Sequence, residues 1–172
     1  MAVLPIRKYG DPVLRTRAKE IEPSEISGLG TLIDDMVDTM YAEPGVGLAA
    51  NQVGVSLRLA VIDLTVGEEP DGVHVLINPE IVESEGEILE EEGCLSIPDF
   101  VELVSRPERV HVTYLDREGT AKDMWGEGLM ARAICHEIDH LNGVMFVDYL
   151  RGMKKDRILK KIQKLIKTGD WY

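Results

Sequence analysis

Two histidines four residues apart, with a glutamate directly after the first, mark the stretch ICHEIDHLNGV at residues 134–144. On a helix, side chains four positions apart lie about 40° apart around the axis, so His136 and His140 can aim their imidazoles at one point. Glu137 flanks that face, where a carboxylate can act as a base beside a metal-bound water. The spacing is typical of metallohydrolases, although two ordinary histidines on a helix would give the same short pattern.

A metal site of this kind needs a third protein ligand. Metalloproteases place it downstream, as a histidine that follows a glycine or as a glutamate on a later helix. Here Gly143 is present, but Phe146 stands where that histidine would be, and no glutamate follows Glu137. The third ligand therefore lies upstream, unless a weaker candidate such as Asp148 supplies it.

The strongest upstream candidate is Cys94, in the stretch EEGCLSIP. Two imidazoles and one thiolate leave a fourth tetrahedral position open for water, as in catalytic sites, whereas structural zinc sites are closed by four protein ligands. Packing as a small buried residue is the other common role of a cysteine. Cys135 would point about 100° away from His136 around the helix, which favours packing. The patterns around His74 and His111 predict strand positions with structural or exposed side chains.

A glycine-rich segment, GVGLAANQVG at residues 45–54, is a third candidate motif. Its small residues allow close backbone approach, and the Gln52 amide can donate a hydrogen bond to a developing oxyanion. The segment lacks the lysine and the serine or threonine of a phosphate loop. Taken alone, it predicts only a turn.

Helices and strands must position these three motifs. Asp11 and Pro12 are typical of the start of a short helix. An amphipathic helix is predicted from Leu29 to about Glu43, because apolar residues recur at three- and four-residue spacing. Stretches that are rich in β-branched residues, or in which apolar and polar residues alternate, then predict an antiparallel sheet in the middle third of the chain. These stretches are LRLAVIDL, GVHVLINPEIV, ILEEEGCLSI, ERVHVTYLD and TAKDMW.

Two further helices are predicted in the last third. The first spans Leu129 to Leu141, where Asn142 and Gly143 are a suitable C-terminal pair. The second spans Arg151 to Lys167 and leaves its lysines toward solvent. Its apolar stripe consists of Ile158, Leu159, Ile162, Leu165 and Ile166.

Length and composition limit the classes of protein to which the chain can belong. A chain of 172 residues with 44% hydrophobic content is long enough for one domain with a core, which we expect to span residues 1–172. No apolar run suggests a membrane span, and the N-terminal residues do not form a signal peptide pattern, so a cytoplasmic location is predicted. Two cysteines are too few for a disulfide framework.

The charge is unevenly distributed. The chain has a net charge of -12, which argues against nucleic acid binding over the whole surface of the protein. Residues 151–172, however, contain eight of the nineteen Lys and Arg residues and only two acidic ones, a local balance of +6. The remainder carries eleven basic and twenty-nine acidic side chains, so a basic C-terminal segment follows a body with a net charge of -18.

In this order, the motifs GVGLAANQVG, EGCLS and HEIDH resemble those of the peptide deformylases, metalloenzymes that remove the formyl group from the initiator methionine of new bacterial proteins. The resemblance begins at YGDPVLR, includes VSRPERVHVTY and covers nearly the whole chain. It implies an α+β fold, with antiparallel sheets wrapped around a central helix that carries the His-Glu-x-x-His motif. N-terminal helices and a basic C-terminal helix complete the expected fold.

The resemblance also implies a metal centre. Cys94, His136 and His140 match the metal ligands, and Glu137 matches the general acid and base. The implied cofactor is one divalent ion, ferrous iron in cells, with zinc, nickel or cobalt as substitutes, although the ligand types alone permit any of them. Asp139 would either orient a ligand imidazole or form an ion pair that anchors the helix.

The same resemblance implies substrate contacts. Gln52 and the backbone N–H of Leu95 match the donors to the oxyanion. Relatives often have glutamine in place of Cys135, and Arg132 puts a charge near a position that can be apolar, so its direction is open. Gly47 matches the backbone position that binds the main chain of the substrate. The walls of the methionine pocket match Val46, Leu129 and Ala133.

The implied partners are formyl-methionyl nascent peptides and the ribosome, with no membrane or DNA. The C-terminal helix of bacterial relatives docks near the ribosomal tunnel exit, which implies the same for this basic helix. Two other functions stay open: a metalloendopeptidase with the same helix and base, and a metal or redox sensor that does not need Glu137. The lysines expected to contact ribosomal RNA are Lys154, Lys160, Lys161, Lys164 and Lys167.

Overall fold

A computed structural model describes residues 2–171, and the chain begins with short helices that lead into a longer one. Asp11 caps a 3-10 helix, Pro12–Arg15, by accepting a hydrogen bond from the Val13 N–H at 3.0 Å. A second 3-10 helix, Pro23–Gly28, which was not predicted, precedes the helix α1, Gly30–Ala42. The two predicted helices, the short one after Asp11 and the longer α1, are therefore confirmed. The fully buried side chains on α1 include Ile33, Met36 and Met40.

Residues 2–171 form seven strands. In chain order they are β1 (Gly47–Ala49), β2 (Leu59–Ile62), β3 (His74–Glu85), β4 (Ile88–Cys94), β5 (Ile97–Arg106), β6 (Arg109–Leu115) and β7 (Ala121–Glu127). Five strands form one sheet in the order β1-β2-β3-β6-β7, and β4 pairs with β5 in a second sheet. All of these pairs are antiparallel, as predicted for the middle third.

Two segments differ from their predicted form. The stretch ILEEEGCLSI is not one extended run, because a turn at Leu95 and Ser96 folds β5 back onto β4. The glycine-rich segment is more than a turn, since Gly47–Ala49 pairs with β2 and Ala50–Val53 forms a 3-10 helix. In both cases pairing with a neighbouring strand, which local composition does not reveal, decides the backbone path.

The helix α2, Leu129–Leu141, has the predicted bounds and lies between the two sheets. It contacts β1, β2 and β7 of the larger sheet and β5 of the smaller one. Gly143 follows with a φ of 78°, and a Cβ at this position would collide with the backbone of Arg15, so glycine is required where the helix ends. This central helix within antiparallel sheets confirms the predicted α+β fold class.

The C-terminal helix α3, Gly152–Thr168, packs one side on the body. Ile158 and Ile162 are buried in a cluster that also contains Phe146 and Trp171. The predicted apolar stripe is narrower than expected, because Ile166 is exposed. Within residues 2–171, no helix combines the length and the apolar character that a membrane crossing requires.

Candidate metal centre and active site

Three side chains that can ligate a metal converge where β4 meets α2. Cys94 is the last residue of β4, and His136 and His140 lie on successive turns of α2. The Cys94 Sγ is 3.2 Å from the His140 Nε2, which is 3.1 Å from the His136 Nε2. One ligand atom from each residue lies within 4.8 Å of the other two. The three predicted ligands therefore surround one point.

This donor set fits a divalent metal. Tetrahedral ligands bonded at about 2.0–2.3 Å lie roughly 3.5 Å from one another, close to the separations of these atoms. The His136 Nδ1 is 2.7 Å from the Glu92 Oε2 and donates to it, because an ionised carboxylate can only accept, so the Nε2 is the ring nitrogen that faces the other two ligands. Burial holds the pKa of His140 well below its usual value and keeps that imidazole neutral. The Cys94 sulfur and two ring nitrogens thus face a shared position.

Glu92, which no sequence motif singled out, orients one of the histidines. It is buried and lies two residues before Cys94, on the same face of β4. Besides His136, its carboxylate accepts hydrogen bonds from Arg106 Nε and Nη2 at 3.0 and 2.7 Å and from Arg132 Nη1 at 3.0 Å. Burial alone would raise the pKa of Glu92, but its bonds to Arg106 and His136 hold that pKa well below the usual range. Glu92 is therefore an ionised acceptor shared by three buried groups.

Asp139 does not contact a ligand imidazole. Its Oδ2 accepts hydrogen bonds from Arg106 Nη1 at 2.6 Å and from the Tyr149 hydroxyl at 2.7 Å. The suggestion that Asp139 orients a histidine is wrong, because Glu92 contacts the His136 Nδ1 and the His140 Nδ1 has no hydrogen-bond partner among residues 2–171. The alternative, an ion pair that anchors the helix, is confirmed.

Arg132, whose direction was open from the sequence, turns inward from α2. Besides Glu92, its guanidinium donates to the carbonyl oxygens of Val104 and Ile88, each at 2.9 Å. These bonds tie α2 to both strands of the smaller sheet. The charge is thus matched within the protein, and the side chain also borders the cavity described below.

The Glu137 carboxylate lies beside the three ligands. Glu137 is only 3% exposed, and among residues 2–171 its Oε1 has no hydrogen-bond partner. A Cβ on Gly47 of β1 would overlap the Glu137 Oε2, so only glycine at this position lets the carboxylate lie there. Burial raises the pKa of Glu137 to about 7. The carboxylate therefore has one oxygen atom available to accept a proton.

The Gln52 amide faces the sulfur of Cys94. Its Nε2 is 3.6 Å from the sulfur and donates to the Ser96 hydroxyl at 3.0 Å. Its Oε1 accepts a hydrogen bond from the Ala49 N–H at 2.9 Å, which fixes the direction of the amide. The Ser96 N–H also points to the sulfur at 3.4 Å. Leu95 lies between Cys94 and Ser96, in the turn that joins the two strands.

A cavity of about 660 Å³ opens over these groups, a volume within the usual range for small-molecule sites. His140 is fully buried beneath it. The structure brings all the predicted site residues together, and their individual roles remain predictions. Those that line the cavity are Val46, Gly47, Gln52, Cys94, Leu95, Leu129, Ala133, His136 and Glu137.

Cys135 and the half-buried His111 have structural surroundings. Cys135 is buried in an apolar cluster with residues such as Ile134 and Val110, and burial raises the pKa of its thiol to about 11. His111 stacks on Trp125 with ring centroids 4.8 Å apart. Both observations agree with the packing and structural roles predicted for them.

We predict that Cys94→Ser weakens metal binding and that Cys135→Ser does not, because only the former removes a sulfur that faces both histidines. Metal content after exhaustive dialysis against a weak chelator measures the difference. Cys135→Ser is the matched control, since it removes the same atom from the same protein. Loss of metal from the Cys135 variant alone would show that the ligand set is wrong.

A histidine pair and a glutamate on one helix, with a cysteine from a neighbouring strand, form the arrangement of a metal-dependent hydrolase. Residues 3–156 match the family described as polypeptide deformylase. The chain therefore belongs to this family of metal-dependent enzymes, which remove the N-formyl group from nascent polypeptides.

Relatives cover almost the full length of the chain. It is 50% identical over 168 residues to a peptide deformylase of Mesorhizobium japonicum, with 97% of this chain and 95% of that protein covered. It is 56% identical over 160 residues to that of Caldanaerobacter subterraneus, with 92% and 96% covered. The crystal structure of a peptide deformylase from Legionella pneumophila gives a TM-score of 0.89 at 47% identity and covers 98% of both chains.

Proposed function

We propose that this protein removes the formyl group from the initiator methionine of nascent polypeptides through a metal held by Cys94, His136 and His140. The observation that carries the proposal is the Glu137 carboxylate, buried beside these three residues at the base of the cavity. Formate and a free methionine amine would be the products. Ferrous iron is the ion we propose in cells, and metal analysis of protein purified without oxygen tests that choice.

The reaction needs a proton acceptor and a proton donor, and we assign both roles to Glu137. When bound, a divalent metal supplies a Lewis acid that polarises a carbonyl and lets water ionise near neutral pH. Glu137 Oε1, which has no hydrogen-bond partner among residues 2–171, takes the proton of the attacking water. The same carboxyl then returns a proton to the nitrogen of methionine as the formyl group leaves. One side chain therefore serves both steps.

The remaining chemical roles belong to hydrogen-bond donors. We propose that the Gln52 Nε2, held by its bonds to Ala49 and Ser96, and the Leu95 N–H stabilise the developing oxyanion. The methionine side chain would lie against the cavity wall, and Gly47 would bind the substrate main chain. The residues proposed for that wall are Val46, Leu129 and Ala133.

Product masses distinguish this function from its alternatives. Metal-loaded protein, kept without oxygen, is incubated with a short formyl-methionyl peptide of known sequence. Loss of the formyl mass alone supports deformylation. Internal cleavage would instead support a metalloendopeptidase, and an unchanged peptide would support a sensor.

The proposed ribosome contact rests on the exposed basic face of α3. Among the five lysines considered, Lys154 lies 3.3 Å from Glu102, so part of its charge is neutralised within the protein. The other four are exposed, and no ion pair with residues 2–171 engages them. They are Lys160, Lys161, Lys164 and Lys167. Because the body is acidic, this face is the part of the protein that phosphates would attract.

Changing these four lysines to glutamate is expected to abolish co-sedimentation with ribosomes at low salt and to leave turnover of a free formyl-methionyl peptide nearly intact. The charge-retaining control changes the same four residues to arginine and should still co-sediment. If the glutamate variant co-sediments as well as the original protein, the helix has a structural role only.

We propose that residues 1–172 act as one catalytic domain in the cytoplasm, where formylated chains are made.

A further inference from the structure

The two proposed oxyanion donors come from different parts of the fold. Gln52 belongs to the 3-10 helix Ala50–Val53, which follows β1 of the larger sheet, whereas Leu95 lies in the turn between the two strands of the smaller sheet. One direct connection between these parts is the side-chain hydrogen bond from the Gln52 Nε2 to the Ser96 hydroxyl at 3.0 Å. The relative position of the two donors therefore depends on contacts that join the larger sheet to this turn.

A second connection is made by the N-terminal segment at residues 7–9, which we refer to as the strap. The backbone N–H of Arg7 donates to the carbonyl oxygen of Gln52 at 2.6 Å, and the N–H of Tyr9 donates to that of Ser96 at 2.9 Å. The strap is therefore bonded to the residue that carries one donor and to the residue directly after the other. Because two residues of chain span at most about 7 Å, the strap limits how far apart the two carbonyl groups can move.

Two further contacts fix the position of Tyr9. Its carbonyl oxygen accepts a hydrogen bond from the Trp171 Nε1 at 2.9 Å, and Trp171 is 3% exposed. The N–H of Asp11 donates to the carbonyl of Lys8 at 3.0 Å and closes a turn in which Gly10 has a φ of 107°, a conformation that favours glycine. The end of the strap is thus anchored independently of the two donors.

We infer that the strap positions the two oxyanion donors relative to one another, and that Tyr9 and Trp171 are positioning residues for the reaction. Within residues 2–171, neither the strap nor Trp171 belongs to the cavity lining, so both act through other residues. The inference rests on the proposed function, because it acts through Gln52 and Leu95. Such donors stabilise the transition state only while they are aimed at the developing oxyanion, so a small displacement lowers turnover rather than substrate binding.

Removing one N–H from the strap tests the inference. Tyr9 is replaced by its α-hydroxy acid through nonsense suppression, which turns the backbone N–H into an ester oxygen and keeps the phenol side chain. Loss of the bond to Ser96 is expected to lower kcat for a formyl-methionyl peptide roughly 3- to 10-fold. KM and metal content should stay unchanged, because the interaction that is weakened is made in the transition state.

The matched control is the same ester substitution at Leu4. The Leu4 N–H donates to the Thr39 hydroxyl of α1 at 2.8 Å, so this change removes a hydrogen bond of similar length from the same part of the chain. Both esters should lower the stability of the protein to a similar extent, but only the ester at Tyr9 should lower kcat. An equal loss of kcat at Leu4 would reveal a general effect of stability and overturn the inference.

A second background separates positioning from a general structural role. In Gln52→Ala the strap has no amide left to aim, so the ester at Tyr9 should lower kcat by less than about 2-fold. A loss as large as that in the original protein would not depend on Gln52 and would overturn the inference.

Trp171→Phe tests the anchor of the strap with a simpler variant. It keeps an aromatic ring in the buried cluster and removes the N–H that donates to Tyr9, so kcat is expected to fall roughly 2- to 4-fold with KM unchanged. Trp125→Phe, which changes an exposed residue of β7, is its control and should keep kcat. Equal kcat in the two variants would remove Trp171 from the inference.

The outcomes separate this inference from the proposed function. If the original protein does not deformylate formyl-Met-Ala, the proposed function fails. If it does and the ester at Tyr9 leaves kcat unchanged, the strap has no positioning role and the inference is overturned while the function stands.

Discussion

Glu137→Gln is expected to retain metal near the original level and to lose deformylation by roughly 100- to 10,000-fold or more. The amide has nearly the same shape as the carboxylate, so it fits beside Gly47 without displacing α2. It cannot take a proton from water, however, and the three proposed ligands are untouched. Metal analysis and single-peptide turnover on the same sample measure both halves of this prediction.

A suitable control for the Glu137 variant is a charge removed from the same helix outside the cavity. Asp139→Asn serves this purpose, because Asp139 contacts Arg106 and Tyr149 rather than a ligand. Its activity should fall much less than that of Glu137→Gln. Near-normal turnover by the Glu137 variant would remove this residue from the mechanism.

Glu92→Gln is expected to cause the largest loss of stability, about 3–5 kcal/mol in the free energy of unfolding. The change leaves the buried guanidiniums of Arg106 and Arg132 without the carboxylate that both contact. It also turns one of the two acceptor oxygens that His136 and the two arginines share into an NH2 donor, which loosens the hold on the His136 Nδ1, so metal affinity should fall roughly 10- to 100-fold. Urea unfolding of metal-free protein measures the stability term without a contribution from metal binding.

Glu91→Gln is the matched control for that experiment. It makes the same chemical change one residue away, on the exposed face of β4, and should alter the free energy of unfolding by less than about 0.5 kcal/mol. Equal stability of the two variants would show that the buried ion pairs do not hold α2 against the smaller sheet.

Local patterns in the sequence predicted the elements that carry the site. The bounds of α2 follow from apolar spacing and from the residues Asn142 and Gly143, and β2 follows from a short branched run. The spacing of His136 and His140 indicated a metal site and pointed to Cys94 as an upstream ligand, whereas the role of Gln52 was implied only by the resemblance to the deformylases. These features depend on residues close together in the chain.

The residues that support the site could not be predicted in the same way. Glu92 lies among three consecutive glutamates, and its burial depends on Arg106 and Arg132, which come from other elements of the fold. A signal was present, because strand alternation places Glu92 on the face of Cys94. Choosing it over Asp139 as the partner of His136 required knowledge of how β4 packs against α2.

The burial of Cys135 has a practical consequence for handling the protein. Cys94 borders the cavity while Cys135 is enclosed in an apolar cluster, so the native fold presents one accessible thiol rather than two. A chromogenic disulfide reagent should therefore count close to one sulfur per folded molecule and two after denaturation. Because a ligated sulfur reacts slowly, the proposed ligation by Cys94 predicts that the native count falls as ions are added, and a simple colour change would then report the fraction of molecules that are loaded.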